Sequence, residues 1–395
     1  MSPTLIIVLL SMLLGIQPVA TDLYLPALPA IKAEFDAELS QVQLTLSALL
    51  LAFGTSQLVW GPLSDRFGRR PILLCGLATF TMAGLGCVLA NSMQELIVWR
   101  VLQGAAMGAV VMCARAIVRD LYTPETGAGV MSKALTGLGF LACASAPLGG
   151  LLTDLWSWHA ALSLVMGFGA IALVLVAFTF KETLHRKNSN ALQFAVLARN
   201  WWHILRHPTF VAFTCVSIGS YGGLFTFLAS SSFVFISLLG LARWQYGLLL
   251  FSMAFTYLLG TVLCRRLLTR FGVALTVAIG GAFSLTGGCW MALNTWLGWQ
   301  SVLGLMGPFY LFILAHGIHQ PCGQSGAVGP FPKAAGAASA LGGFLMMMAA
   351  FATGLWLGAV KDGSAMPMVQ SIAFWSILTA LSAWLLVLRR GGPRA

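Results

Sequence analysis

Gly61-Pro62-Leu63-Ser64-Asp65-Arg66-Phe67-Gly68-Arg69-Arg70-Pro71 is a short charged stretch set between two apolar runs, Gln41 to Leu63 and Ile72 to Ala90. Each run has about the 20 residues that an α-helix needs to cross a hydrocarbon core of about 30 Å. The stretch therefore reads as a turn at a membrane surface. Its glycines permit a tight turn and close helix approach, and one Asp with three Arg makes a charge cluster. A plain basic loop explains Arg66, Arg69 and Arg70, but not Gly61, Asp65 and Gly68 at these spacings.

The same alternation extends in both directions. Apolar runs of spanning length are placed at Thr4 to Pro29, Gln41 to Leu63, Ile72 to Ala90, Glu95 to Val118, Gly129 to Leu152 and Trp158 to Phe180. Six more follow, at Phe210 to Leu239, Gln245 to Cys264, Val273 to Asn294, Gln300 to Gln320, Ala334 to Val360 and Met366 to Leu388. With 395 residues, 58% hydrophobic and 8% charged, and a mean hydropathy of +0.88, the chain is not a soluble globular protein. The expected fold class is an all-α membrane protein with twelve transmembrane helices in two six-helix halves. Residues 1–180 form the first half, 181–208 a cytoplasmic linker and 209–395 the second. Asp65-Arg66-Phe67-Gly68 has a faint echo in Thr269-Arg270-Phe271-Gly272, and Leu138-Gly139-Phe140-Leu141 in Leu341-Gly342-Gly343-Phe344-Leu345, which suits paired halves.

Charge sets the orientation. Of 22 Lys and Arg, only Lys32, Arg243 and Lys361 fall on one side, Arg100 lies inside a span, and all the others lie on the opposite side. The positive-inside rule puts that side, both termini and the linker in the cytoplasm. It also accounts for the net charge of +11 without nucleic acid. The eight cysteines sit in apolar stretches with no C-x-x-C and no Cys/His ligand spacing, so neither disulfides nor a metal site is expected. The apolar N-terminus lacks a basic lead and reads as an uncleaved first helix.

Thr21-Asp22-Leu23-Tyr24-Leu25-Pro26 holds the acid set deepest in an apolar run. A carboxylate at bilayer depth costs about 2.5–3.5 kcal/mol on insertion scales, so it faces a polar cavity or a partner. Pro26 has no N–H to give the Asp22 carbonyl, and Pro18 none for Leu14, so this backbone is locally polar. The competing reading makes Asp22 a helix-end residue in the headgroup region. Arg100, in Arg100-Val101-Leu102-Gln103-Gly104, is either the electrostatic counterpart of Asp22 or a side chain snorkelling from the helix end near Glu95. Gly104 and Gly108 are spaced for close helix packing.

The Gly61 to Pro71 stretch resembles the cytoplasmic helix 2–3 loop signature of the major facilitator superfamily. Arg100 resembles the helix-four arginine of its antiporter-type members, and Gly137, Gly139 and Ala146-Pro147-Leu148-Gly149-Gly150 are similar to their helix-five antiporter motif, with Ala146 where glycine is usual. Asp22 to Pro29, Arg115-Ala116-Ile117-Val118-Arg119-Asp120, and Pro330-Phe331-Pro332 with Gly336 to Leu341 narrow the resemblance to the Bcr/CflA branch of 12-helix drug:proton antiporters. The resemblance implies alternating-access export of bicyclomycin-, chloramphenicol- or florfenicol-like antibiotics from a bacterial inner membrane, driven by a proton gradient with no cofactor. It implies a monomer in the lipid bilayer whose partners are a small-molecule drug and protons. Asp22 and Arg100 would couple protons. Gly61, Asp65, Arg66, Gly68, Arg69, Arg70, Asp120, Pro147, Gly149 and Gly150 would form the conformational motifs, with Asp120 meeting the arginines of the loop.

The expected substrate-binding set is Asp22, Tyr24, Gln103, Tyr221, Phe225, Phe255, Tyr257, His316, His319 and Gln320. His316 and His319 share a helix face and are either proton-sensitive or neutral, cavity-lining and helix-bridging groups. The aromatics either stack a drug or pack against helices and lipid. No G-x-x-x-x-G-K-[ST] is present, which argues against ATP as energy source. No nucleophile–base pair or metal-ligand set stands out, so the chain is not expected to be an enzyme. Two alternatives stay open: a proton-coupled exporter of a sugar or amino-acid derivative, and a membrane receptor or scaffold that transports nothing.

Overall fold

The computed structural model describes residues 3–122, 124–184, 194–331, 334–360 and 363–390. Pro332, Lys333, Arg186, Lys187, Lys361, Arg394 and the middle of the expected linker lie outside them. The described chain is helical: α1 (Pro3–Asp22), α2 (Leu28–Glu34), α3 (Leu39–Phe67), α4 (Arg69–Val88), α5 (Met93–Leu121), α6 (Pro124–Leu155), α7 (Trp158–Thr179), α8 (Phe194–Leu205), α9 (Pro208–Ser232), α10 (Arg243–Trp296), α11 (Val302–Val328), α12 (Ala335–Ala359) and α13 (Met366–Leu381). Local chemistry sets several starts. Glu38 and Gln41 form a capping box before α3, and the Ser92 and Ser301 side chains accept from the Glu95 and Gly304 N–H groups at α5 and α11.

Among the described residues, eleven segments are long and apolar enough to cross a membrane, the first running from Thr4 to Glu34. The 54-residue α10 would extend about 80 Å if straight, far beyond one crossing. It breaks at Gly272 (φ 71°, ψ 178°), and its arms contain the two spans expected at Gln245 to Cys264 and Val273 to Asn294. Twelve crossings result. Large apolar side chains lie bare on the helix surfaces, Phe178 being 86% exposed and Leu303 81%. A water-soluble monomer does not carry so much bare apolar surface, whereas a lipid-facing one does.

The chain divides into two compact units. Unit 1 is Met1–Phe194 with Ala242–Phe251, and unit 2 is Ala195–Leu241 with Ser252–Ala395. In unit 1, α3 and α4 pack on α5, and α1 packs on α5, α6 and α7. Small residues allow the approach: a Cβ at Gly104 would strike the Leu49 carbonyl, and one at Gly108 the Ser56 hydroxyl. In unit 2, α9 packs against α11, α12 and α13. One end of unit 2 closes on a core containing Ile204, Phe210, Phe213, Cys264, Cys322 and Phe331. The amphipathic α8 joins that core through Ile204 and Trp201.

Candidate functional site

Helix α1 stops at Asp22. Leu23 and Tyr24 form a turn, Leu25–Ala27 a 3₁₀ turn, and α2 resumes at Leu28. Pro26 and Pro29 withhold the N–H groups that would have extended α1, so the Tyr24 N–H bonds the Thr21 carbonyl at 3.2 Å and the Ala27 N–H bonds the Tyr24 carbonyl at 3.0 Å. Pro18, by contrast, is absorbed within α1. The break is seated on α6, where a Cβ at Gly149 would collide with the Leu23 carbonyl. Asp22 does end a helix, as one reading held. That end is internal, however, because the same membrane-crossing segment continues to Glu34.

Asp22 is half-buried among buried neighbours, and its Oδ1 accepts from the Thr21 hydroxyl at 2.8 Å. Arg100 is fully buried, which excludes snorkelling to the surface. It makes no contact with the Asp22 carboxylate within the 4.0 Å of an ion pair. Its Nη2 donates instead to the Ala20 carbonyl at 3.0 Å and its Nη1 to Gln103 Oε1 at 2.8 Å, and the guanidinium lies 4.2 Å from the Tyr24 ring centre. The reason is backbone geometry. In an unbroken helix the Ala20 carbonyl would accept from the Tyr24 N–H, but that N–H has turned to Thr21, and the carbonyl is left for the arginine. Tyr24 is fixed in turn, its hydroxyl donating to Thr45 Oγ1 at 2.8 Å while Thr45 donates to the Val42 carbonyl at 2.6 Å. Arg100 thus grips the chain on both sides of Asp22, at residues 20 and 24, without neutralising it. The buried Nε of Arg100 and Nε2 of Gln103 have no partner.

The Gly61 to Pro71 turn is a second polar centre in unit 1. Arg69 is 1% exposed and is shared by two carboxylates, with Nη1 to Asp65 Oδ1 at 2.7 Å and Nε to Asp120 Oδ2 at 2.8 Å; Nη1 also donates to Ser64 Oγ at 2.6 Å. The expected contact of Asp120 with this loop is therefore made, to Arg69. Arg70 donates to the Ala177 carbonyl at 3.0 Å, and Arg66 lies over the neighbouring Phe67 ring. Gly68, at φ 114° and ψ 161°, occupies backbone space that side-chain-bearing residues rarely enter. Glu182 completes the centre and was not singled out from sequence. Its carboxylate accepts the backbone N–H groups of Arg69 (2.9 Å), Arg70 (3.1 Å), Thr183 (3.0 Å) and Leu184 (3.0 Å), capping the start of α4. Partial burial pushes this carboxyl up, but the backbone donors outweigh it and hold it below the usual carboxylate range. The signal was an acid immediately after a spanning helix, at the cation-rich end of the chain's apolar runs.

Pro147 and Gly150 of α6 meet the first turns of α10. A Cβ at Gly150 would strike the Arg243 backbone, and one at Gly247 the Pro147 backbone. Asp154 fastens this contact by accepting from Arg243 Nη1 at 2.9 Å and from the Trp244 N–H at 3.1 Å.

The residues expected to bind substrate in unit 2 separate. His316 Nδ1 is 2.8 Å from Ser220 Oγ, and its ring is 5.6 Å from that of Tyr257. His319 Nε2 donates to the Val277 carbonyl at 3.3 Å, leaving a buried Nδ1 without a partner; Gln320 Nε2 is likewise buried and unpartnered. Phe225 is fully buried. Phe255 is 55% exposed on its helix. Tyr221 is half-buried.

A twelve-crossing helical membrane protein with an acid at a broken first helix and a charged, glycine-bounded helix 2–3 turn has the anatomy of a secondary transporter. The chain matches the Major Facilitator Superfamily over residues 10–355, and it belongs to that family. It is 27% identical to the bicyclomycin resistance protein homolog of Haemophilus influenzae over 98% of this chain and 97% of that one. It is 28% identical to a chloramphenicol resistance protein of Pseudomonas aeruginosa, covering 82% and 78%, and 29% identical to multidrug resistance protein D of Escherichia coli, covering 86% and 85%. Among solved structures it resembles the inward-open, partially occluded xylose transporter XylE of E. coli with a TM-score of 0.76, at 13% identity, over 99% of this chain and all of that one.

Proposed function

We propose that this transporter exports small, largely apolar antibiotics of the bicyclomycin and phenicol kind across a bacterial inner membrane, exchanging them for protons, with both termini cytoplasmic. The observation that carries the reading is full-length similarity to proteins named for bicyclomycin, chloramphenicol and multidrug resistance. Asp22 supports the coupling half. A half-buried carboxylate with one hydrogen bond and no cation in contact can be protonated without breaking an ion pair. Arg100 acts as its positioning residue, holding Ala20 and Tyr24 so that the carboxylate keeps one place through the cycle. Protonation of Asp22 and occupancy by drug are alternatives, so that inward proton movement is paid out as outward drug movement. One proton moving through 100 mV supplies about 2.3 kcal/mol. The Asp65–Arg69–Asp120–Glu182 centre serves as a latch on the cytoplasmic side and the Asp154–Arg243 clasp as one on the outer side.

The test is proton movement in proteoliposomes under an imposed acid-inside gradient. Adding chloramphenicol, florfenicol or bicyclomycin should evoke proton efflux from the lumen in the wild type and none in Asp22→Asn. Full drug-evoked efflux in that variant would remove Asp22 from the coupling step. Silence of the wild type toward all three drugs would move the substrate to a metabolite.

A further inference from the structure

Cations and carboxylates are unequally shared along this chain. After Glu182 the sequence holds one carboxylate, Asp362, yet more than half of the 22 Lys and Arg. Six of those arginines, at 199, 206, 265, 266, 270 and 389, are exposed, and the described residues of their unit include no carboxylate side chain to pair with them. They are not scattered. The Ile204–Phe331 core gathers Trp201 and Ile204 of α8, Leu263 to Leu268 of α10 and Val387 beyond α13 at one end of unit 2, which places these arginines around its rim.

The geometry of α8 adds a second, independent feature. Trp201 and Ile204 turn into the core, while Arg199, Trp202 and Arg206 follow an i, i+3, i+7 stripe on the opposite face. Trp202 is 57% exposed, and the Arg206 guanidinium lies 4.3 Å from its ring centre. Across the rim, Arg270 flanks Phe271, which is 41% exposed. Bare indole and phenyl rings next to uncompensated guanidinium groups suit neither bulk water nor hydrocarbon. They suit the layer between the two, where rings sit at headgroup level and cations meet phosphate.

We propose that this end of unit 2 docks anionic phospholipid headgroups, with Arg199, Arg206, Arg265, Arg266 and Arg270 contacting phosphate and Trp202 anchoring α8 in the interface. Charge complementarity selects the partner: a one-sign cluster in a unit with no carboxylate side chain among its described residues, on helices that already stand in the bilayer, finds its counter-charge in the adjoining leaflet. Unit 1 differs in holding carboxylates of its own, two of which, Asp65 and Asp120, answer the buried Arg69. The proposal rests on placement in a membrane and is independent of which substrate is carried.

The test uses the full-length protein in detergent, offered equal amounts of phosphatidylglycerol and phosphatidylcholine, with bound lipids counted by native mass spectrometry. The wild type should retain phosphatidylglycerol preferentially, and added salt should erode the preference. Each Arg→Gln change among the five should weaken it about fivefold, the effect of about 1 kcal/mol per cation at an anionic surface. The Arg→Lys versions keep the charge and should retain it, which separates loss of binding from loss of fold. Equal retention of the two lipids by the wild type, undiminished preference in the combined Gln variant, or complete displacement of the lipid by inorganic phosphate would each overturn the proposal.

Discussion

Two turns of this molecule begin from nearly the same sequence and end in different chemistry. Asp65-Arg66-Phe67-Gly68 joins α3 to α4 in unit 1, and Thr269-Arg270-Phe271-Gly272 joins the two arms of α10 in unit 2. Both pivot on a glycine in backbone space closed to other residues, φ 114° at Gly68 and φ 71° at Gly272. In unit 1 the turn is surrounded by Asp65, Asp120 and Glu182, which bury Arg69 and cap α4. In unit 2 the position of Asp65 is taken by Thr269, whose hydroxyl only returns to the Arg266 carbonyl at 2.9 Å, and Arg270 lies over its own neighbour Phe271. The backbone device is common to both. The carboxylates decide which turn becomes an intramolecular latch and which leaves its cations for another partner.

The largest way to break that contrast is to remove both partners of Arg69. Asp65→Asn with Asp120→Asn leaves a 1%-exposed guanidinium unpaired and should destabilise the protein by about 3–5 kcal/mol, read as a fall in the thermal midpoint in detergent. Gly68→Ala comes next. Its Cβ enters forbidden φ space and meets the Glu182 carboxylate, whereas the Cβ of Gly272→Ala meets open space. The backbone term is about 1–3 kcal/mol for each, so the first variant should unfold at a clearly lower temperature than the second.

Glu182→Gln should cost about 0.5–2 kcal/mol, the range for losing a capping carboxylate. The pH dependence has a fixed sign. A carboxyl held below its usual value of 4.5 contributes stability above that value, and the contribution is lost as pH falls below 4.5 and through the depressed folded value. The wild-type thermal midpoint should therefore lose this contribution in acid, and Glu182→Gln should flatten that part of the profile. The smallest effect belongs to Thr269→Asp, which supplies unit 2 with the missing acid at an exposed site. It should change stability by about 0–1 kcal/mol while reducing the phosphatidylglycerol preference of that end.

Much of the architecture was legible because hydrophobic length is a one-dimensional property. Twelve runs of spanning length, and a break at Pro26 where an N–H is missing, required no knowledge of neighbours. The glycine-bounded turn was equally visible, since residue spacing along the chain carried it. Glu182 was not, because its four hydrogen-bond donors lie on both sides of a long sequence gap. The Asp154–Arg243 clasp escaped for the same reason, and Phe225 could not be sorted from exposed aromatics by type alone.

The sequence by itself determined the class of molecule, the number of crossings, the position of the first-helix break and the identity of its acid. These follow from hydropathy and from what proline cannot donate. Only the tertiary structure decided what Arg100 does. Opposite charge pointed to Asp22, but a backbone carbonyl freed by the break, a glutamine one turn along α5 and the face of Tyr24 were nearer. Which partner a buried guanidinium takes depends on distances and on competing acceptors, and those exist only once the helices are packed.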